Sequence, residues 1–165
     1  AYWETVYALM SDSLLTGENN ALETYPFLQL PAASGESVES FEGELPENLF
    51  GIRAVSLAKT GEALVMRLDG AEERSAELVC GAGKWEYNKI PHCPLIPNAF
   101  LGGLSVGVPA EIAAAWGFEG GKLRVALQLV TTPHGLVFDF DRSKRTLSVS
   151  QTLDRGASPV ELSIT

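Results

Sequence analysis

"GKLRVALQLVTTPHGLVFDFDRSKRTLSV", residues 121–149, decides the fold because its apolar residues recur at every second position. That period is typical of half-buried antiparallel strands, whose successive side chains point to opposite faces. The apolar positions are Leu123, Val125, Leu127 and Leu129, then Leu136, Phe138 and Phe140, then Leu147 and Val149. The runs are separated by "TTPHG" and "DRSKR", whose composition is typical of turns, so the stretch predicts three strands of a meander.

The same period extends upstream, through residues 54–58, 64–69 and 75–80. "AEIAAAWGF" (110–118) is ambiguous because alanine favours helices, but its length and the "EGG" turn after it favour a strand. These runs predict about eight to ten short strands with regularly spaced turns. The predicted fold class is mainly β: an antiparallel, up-and-down (lipocalin-like) β-barrel of about eight strands, since a barrel leaves no exposed edge.

One helix and a long linker precede the predicted barrel. Apolar residues at steps of three and four, which include Trp3, Tyr7 and Met10, predict an amphipathic helix from about Tyr2 to Leu15. The Gly-, Pro-, Ser- and Glu-rich residues that follow are too numerous for an ordinary loop, yet "YPFLQLP" is too apolar to stay in water. We expect an ordered linker docked through Phe27 and Leu30. The predicted domains are 1–43, helix and linker, and 44–165, the β-barrel.

Composition excludes two classes of partner. The 165 residues carry a net charge of -9 and no long run of Lys or Arg, which disfavours nucleic-acid binding. No apolar stretch is long enough to span a bilayer, and the amino end shows no signal-peptide pattern. We therefore expect no nucleic-acid and no membrane partner. The compartment stays open, with a cytoplasmic location as the expectation.

"SLAKTGE", residues 56–62, spells both S-x-x-K and K-T-G, two signatures of serine β-lactamases and penicillin-binding proteins. In those enzymes the serine opens a helix, which brings the lysine to the same face. Here the local period is two, so Ser56 and Lys59 should point to opposite faces of a strand. We interpret the stretch as a hairpin with Lys59, Thr60 and Gly61 as its loop and Gly61 in the left-handed conformation. No catalytic residue is predicted.

The remaining chemistry-bearing residues are few. Cys80, His92, Cys93 and His134 could in principle hold a metal, but their spacing matches no known site, so we predict neither metal nor cofactor. A stand-alone enzyme that uses His92 or His134 with a distant nucleophile stays open as a further alternative. The candidate ligand contacts are Trp85, Trp116 and His134, although tryptophans on strands are more often part of a core.

Five stretches carry a family resemblance, and they follow one another in the family's order over nearly the whole chain. They are "YWETVYALMSDSLL", "FLQLP", "ENLFGIRAVSL", "GAGKW" and "WGFEGGKLRVALQLVTTPHGLVFDFDRSKRTLSV". Together they resemble the carboxy-terminal, lipocalin-like β-barrel domain that is appended to β-lactamase-like serine hydrolases. The chain departs from the family's pattern at Thr131, where relatives commonly have Glu, and in a shorter approach to Asn48.

The resemblance implies a non-catalytic accessory domain that packs beside the catalytic serine hydrolase domain of the same parent chain and shapes or stabilises it. The family's nucleophile and lysine belong to that other domain, so no catalytic residue carries over. Trp3, Tyr7, Met10, Phe27 and Leu30 would form the domain interface. The alternative is a lipocalin-like carrier that holds a small apolar ligand inside the barrel.

Overall fold

A computed structural model describes most of the predicted β region. The described residues are 38, 40–48, 50–70, 75–91, 109–130, 135–151 and 159–165. The predicted helix at 2–15 and the linker with Phe27 and Leu30 lie outside them. No helix long and apolar enough to cross a membrane occurs among the described residues.

Ten strands make up one curled, half-barrel sheet. They are β1 (Phe41–Glu44), β2 (Ile52–Thr60), β3 (Ala63–Gly70), β4 (Ser75–Ala82), β5 (Glu86–Ile90), β6 (Ala110–Glu119), β7 (Lys122–Leu129), β8 (Gly135–Asp141), β9 (Thr146–Gln151) and β10 (Val160–Ser163). The prediction of a mainly β chain is confirmed. Ten strands fall within the eight to ten that the alternating runs predict, and exceed the eight predicted for the barrel; β1 and β10 are short strands at the two ends of the path, and β5 lies off the path.

The meander predicted from residues 121–149 is present with its predicted faces. Strands β6 to β9 pair antiparallel with their sequence neighbours, and within these pairs Val125 lies opposite Phe138, which lies opposite Val149. All three side chains are buried, with exposures of 0%, 0% and 1%. The alanine-rich run forms the strand β6, as predicted. The alternation therefore places one continuous apolar face on the inside of the curl.

The junction of β4, β5 and β6 departs from a simple up-and-down meander. Strand β4 pairs with β6 in parallel through Gly81 and Ala82 only, while β5 pairs antiparallel with residues 110–114 of the same edge of β6. The predicted up-and-down order does not hold at this junction, although every other strand pairing of the described sheet is antiparallel, as predicted. Two successive strands can share one edge here because each occupies a different part of the ten-residue strand β6.

The first strand also touches the last residues of the chain. The Glu44 N–H donates to the Thr165 carbonyl at 3.4 Å, and the Thr165 N–H donates back to the Glu44 carbonyl at 3.2 Å. An added Cβ at Gly43 would overlap the Ile164 side chain, so glycine permits this close approach. The two ends of the nine-strand path from β1 to β10 are thus joined at one point.

Candidate functional site

Ser56 and Lys59 lie on opposite faces of β2. Val55 and Leu57 on either side of Ser56 are buried at 1% exposure, so Ser56 belongs to the outer face. The Lys59 Nζ lies 5.8 Å from the centroid of the Trp116 ring, a residue of the inner core. The structure therefore does not bring the hydroxyl and the amine together, as the strand parity predicts.

The turn after Lys59 differs in detail from the predicted loop. Lys59 pairs with Leu64, and Thr60 pairs with Ala63, so both residues belong to the sheet. The turn consists of Gly61 and Glu62, of which Gly61 has a positive φ of 63°. The prediction that Lys59 and Thr60 are loop residues is wrong, whereas the left-handed Gly61 is confirmed. Glycine at the first of two turn residues suits a tight hairpin because its backbone tolerates this conformation.

Trp116 is the most unusual side chain of the inner face. It lies on β6 with 2% of its surface exposed, and its ring meets the ring of Phe118 edge to face, with centroids 6.2 Å apart. Its indole Nε1–H is buried and has no hydrogen-bond acceptor within the described part of the chain. A buried donor without an acceptor costs about 1–3 kcal/mol, so such groups are rare in folded proteins.

Trp85 lies in the short connection between β4 and β5, where it is half-buried. This connection is held next to Trp116 because the Gly83 N–H donates to the Trp116 carbonyl at 3.0 Å. Gly83 has a positive φ of 59°, which a glycine adopts without strain. The structure thus brings the chain segments of the two candidate tryptophans together. The other candidate ligand contact, His134, lies outside the described residues, as do Trp3, Tyr7 and Met10.

Asn88 supports the junction next to Trp116, and the sequence reasoning missed it. Its Oδ1 accepts a hydrogen bond from the Val79 N–H at 2.7 Å, and its Nδ2 donates to the Val79 carbonyl at 3.0 Å. The carboxamide thereby forms the two backbone hydrogen bonds of Val79 on β4 that a neighbouring strand would otherwise form. Asparagine is depleted in strands, so its presence in the strand "EYNKI" is the sequence feature that could have indicated a structural role for Asn88.

Cys80 is a buried, unreactive thiol. Burial raises the pKa of Cys80 to about 12, because the interior disfavours the charged thiolate. The thiol lies near the Leu78 carbonyl at 3.7 Å, and no group of three or more potential metal ligands occurs among the described residues. His92, Cys93 and His134 lie outside those residues. The one soft ligand that the structure describes is thus a core side chain.

The strongest charge pairing lies on the outer face of the sheet. Arg124 and Asp139 occupy directly opposite positions on β7 and β8, and two hydrogen bonds of 2.6 and 2.7 Å join them. The hydrogen bond with Asp139 raises the pKa of Arg124. Glu119 also pairs with Arg124. Cross-strand pairs of this kind contribute about 0.2–1 kcal/mol to a sheet, and we assign this one to stability.

A scan against protein-family models, a search of curated proteins and a search of solved structures found no match. The function is therefore inferred from the sequence features and from the two environments that the structure places side by side. One is a packed apolar interior. The other is the Lys59 end of that interior, defined here as Lys59, Trp116 and Phe118, where a cation lies over a buried indole with an unpaired donor.

Proposed function

We propose that this chain is a non-catalytic accessory domain, the carboxy-terminal lipocalin-like β-barrel of a β-lactamase-like serine hydrolase. In this role it packs beside the catalytic domain of the same parent chain and shapes or stabilises it. The observation that supports the proposal is the placement of Ser56 and Lys59 on opposite faces of β2. The S-x-x-K letters at residues 56–59 belong to the β2 strand of a hairpin. This placement agrees with a non-catalytic domain that accompanies a separate catalytic domain.

The curl of the sheet supports the barrel in this proposal. The hydrogen bonds between Glu44 and Thr165 join the two ends of the strand path, and a closed sheet has no free edge. We propose that the curl closes at this point into an up-and-down barrel, with the β4–β5–β6 junction as its irregular wall.

The outer face of β6 and β7 supports the packing role. Ala113, Ala115 and Ala126 lie opposite the core face, yet their exposures are only 7%, 0% and 8%. Small side chains allow a close approach of another segment to a sheet. We propose that another segment of the parent chain packs on this face.

Three experiments test the accessory role. The coding region upstream of residue 1 should encode a hydrolase domain with an S-x-x-K in a helical context, and deletion of residues 44–165 from that parent chain should lower its thermal midpoint or its turnover. The chain alone should hydrolyse neither nitrocefin nor p-nitrophenyl acetate above the buffer rate. Turnover that Ser56→Ala abolishes, and that the matched strand variant Ser148→Ala leaves unchanged, would contradict the proposal.

A second candidate function is the lipocalin-like carrier of a small ligand. One observation favours it: the buried Nε1–H of Trp116 lacks an acceptor, which an incoming ligand could supply. Ligand binding of this kind does not depend on the accessory role.

A further inference from the structure

The Trp116 indole is a hydrogen-bond donor that the fold leaves unused. Its Nε1–H is buried, and none of the described residues accepts a hydrogen bond from it. The cost of leaving this donor unpaired would disappear if a ligand oxygen reached it. A ligand for this position therefore needs a hydrogen-bond acceptor.

Lys59 differs from three lysines that lie next to a carboxylate. Lys84, Lys89 and Lys144 lie 3.2, 3.5 and 3.7 Å from a carboxylate oxygen of Glu86, Glu111 and Asp141. The Lys59 ammonium instead lies over the Trp116 ring, with its Nζ 5.8 Å from the ring centroid. Within the described part of the chain no carboxylate comes within ion-pair distance of it. Its positive charge is thus available to a ligand that reaches the same ring.

The surroundings of this donor and this cation are aromatic. Phe118 follows Trp116 on the same face of β6, and its half-buried ring packs edge to face against the indole at an interplanar angle of 77°. Aromatic rings with few polar groups form a suitable contact surface for an apolar tail. Lysine has a flexible four-carbon stem, so the ammonium group of the exposed Lys59 can follow a bound anion at small cost.

From these contacts we propose that the Lys59 end of the sheet is a binding site for a small carboxylate with an apolar tail. One carboxylate oxygen accepts the hydrogen bond from Trp116 Nε1, the negative charge pairs with the Lys59 ammonium, and the tail packs against Phe118. The site selects against cations because of Lys59. It selects against neutral molecules without an acceptor because the indole N–H would stay unpaired.

Isothermal titration calorimetry with three probes of equal carbon number tests this site: octanoate, 1-octanol and octylammonium. We expect saturable octanoate binding that is at least about tenfold tighter than that of 1-octanol, and the weakest binding for octylammonium. Lys59→Met should weaken octanoate about tenfold and leave 1-octanol unchanged. Trp116→Phe should weaken both probes, because an alcohol oxygen also accepts from the indole. Lys89→Met, on the outer face, is the matched control and should change nothing.

Three results would overturn the site: no saturable binding of octanoate, equal affinity for octanoate and octylammonium, or octanoate binding that Lys59→Met does not alter. Circular dichroism of each variant shows whether it is folded, and the Lys59→Met exchange on an exposed side chain leaves the core intact. Failure of this site would leave the accessory role standing, since the turnover and deletion experiments do not depend on ligand binding.

Discussion

The middle of the inner face and its Lys59 end are built from the same alternating strands, but they differ in chemistry. In the middle, the apolar side chains of Met66, Leu78 and Phe138 have no exposed surface. At the Lys59 end, a buried ring keeps an unpaired donor beneath an exposed cation. Alternation builds the apolar scaffold at both places, and the unpaired indole donor distinguishes the Lys59 end from the rest of it.

The largest expected effect comes from a cavity in the middle of the inner face. Phe138→Ala removes the largest fully buried side chain and should lower the free energy of unfolding by about 3–5 kcal/mol. Val137 precedes Phe138 on β8, faces outward and is half-buried. Val137→Ala is therefore the matched control and should lower the free energy of unfolding by less than about 1.5 kcal/mol. Urea denaturation measures both. Similar losses for the two variants would show that the inward face is not the packed one.

A smaller effect should appear as a pH dependence from Cys80. The Cys80 thiol has an ordinary pKa of 9.0 in the unfolded chain and a pKa of about 12 in the folded chain. Between these two pH values the unfolded chain releases the thiol proton, whereas the folded chain keeps it. Stability from this group is complete below pH 9 and falls by about 1.4 kcal/mol per pH unit above it. Between pH 8.5 and 10, Cys80→Ala should therefore lose less stability than the unmodified chain. Parallel curves for the two proteins would contradict the burial of Cys80, and Cys93→Ala is the matched comparison.

The smallest effect compares the two environments directly. Trp116→Phe and Phe138→Leu each remove the same number of non-hydrogen atoms from a buried ring. The first also removes an unpaired donor, which offsets part of the lost packing. We expect Trp116→Phe to cost about 1 kcal/mol less than Phe138→Leu in urea denaturation. An equal or larger cost would mean that the indole N–H is satisfied in solution by a partner at the Lys59 end.

The sequence predicted the regular half of the sheet because alternation alone decides it. Leu123, Val125 and Leu127 had to share one face, and the turns on either side of β7 fixed its neighbours as β6 and β8. Burial of the apolar face is cooperative, so a shift of one residue would expose every apolar side chain of the strand. The mainly β class followed from this pattern.

The β4–β5–β6 junction could not be predicted in the same way. Alternation tells which face a side chain occupies, but not which strand lies beside it. Two strands share one edge of β6 because Asn88 bonds to the Val79 backbone, a contact between residues nine positions apart on different strands. A single polar side chain that bonds to the backbone of another strand, as Asn88 does, leaves almost no trace in the alternation of apolar and polar residues.

The candidate site was predicted in part. Trp116 was singled out as an aromatic on a strand, and its burial agrees with a core position. The sequence predicts Lys59 in a three-residue loop. In the structure the turn has only two residues, so β2 extends to Thr60 and includes Lys59. The approach of Lys59 to Trp116 joins residues from distant strands, and such contacts arise only from the curl of the sheet.

The most direct test of the Lys59 end is the indole proton of Trp116 in a nitrogen-15-edited NMR spectrum. The chain has three tryptophans, and Trp116→Phe assigns the signal in question. On titration with octanoate, we predict a saturable downfield shift of the Trp116 indole proton alone, which requires about tenfold more octanoate in Lys59→Met. No shift at saturating octanoate, or equal shifts of all three indole protons, would contradict a carboxylate bound at Trp116.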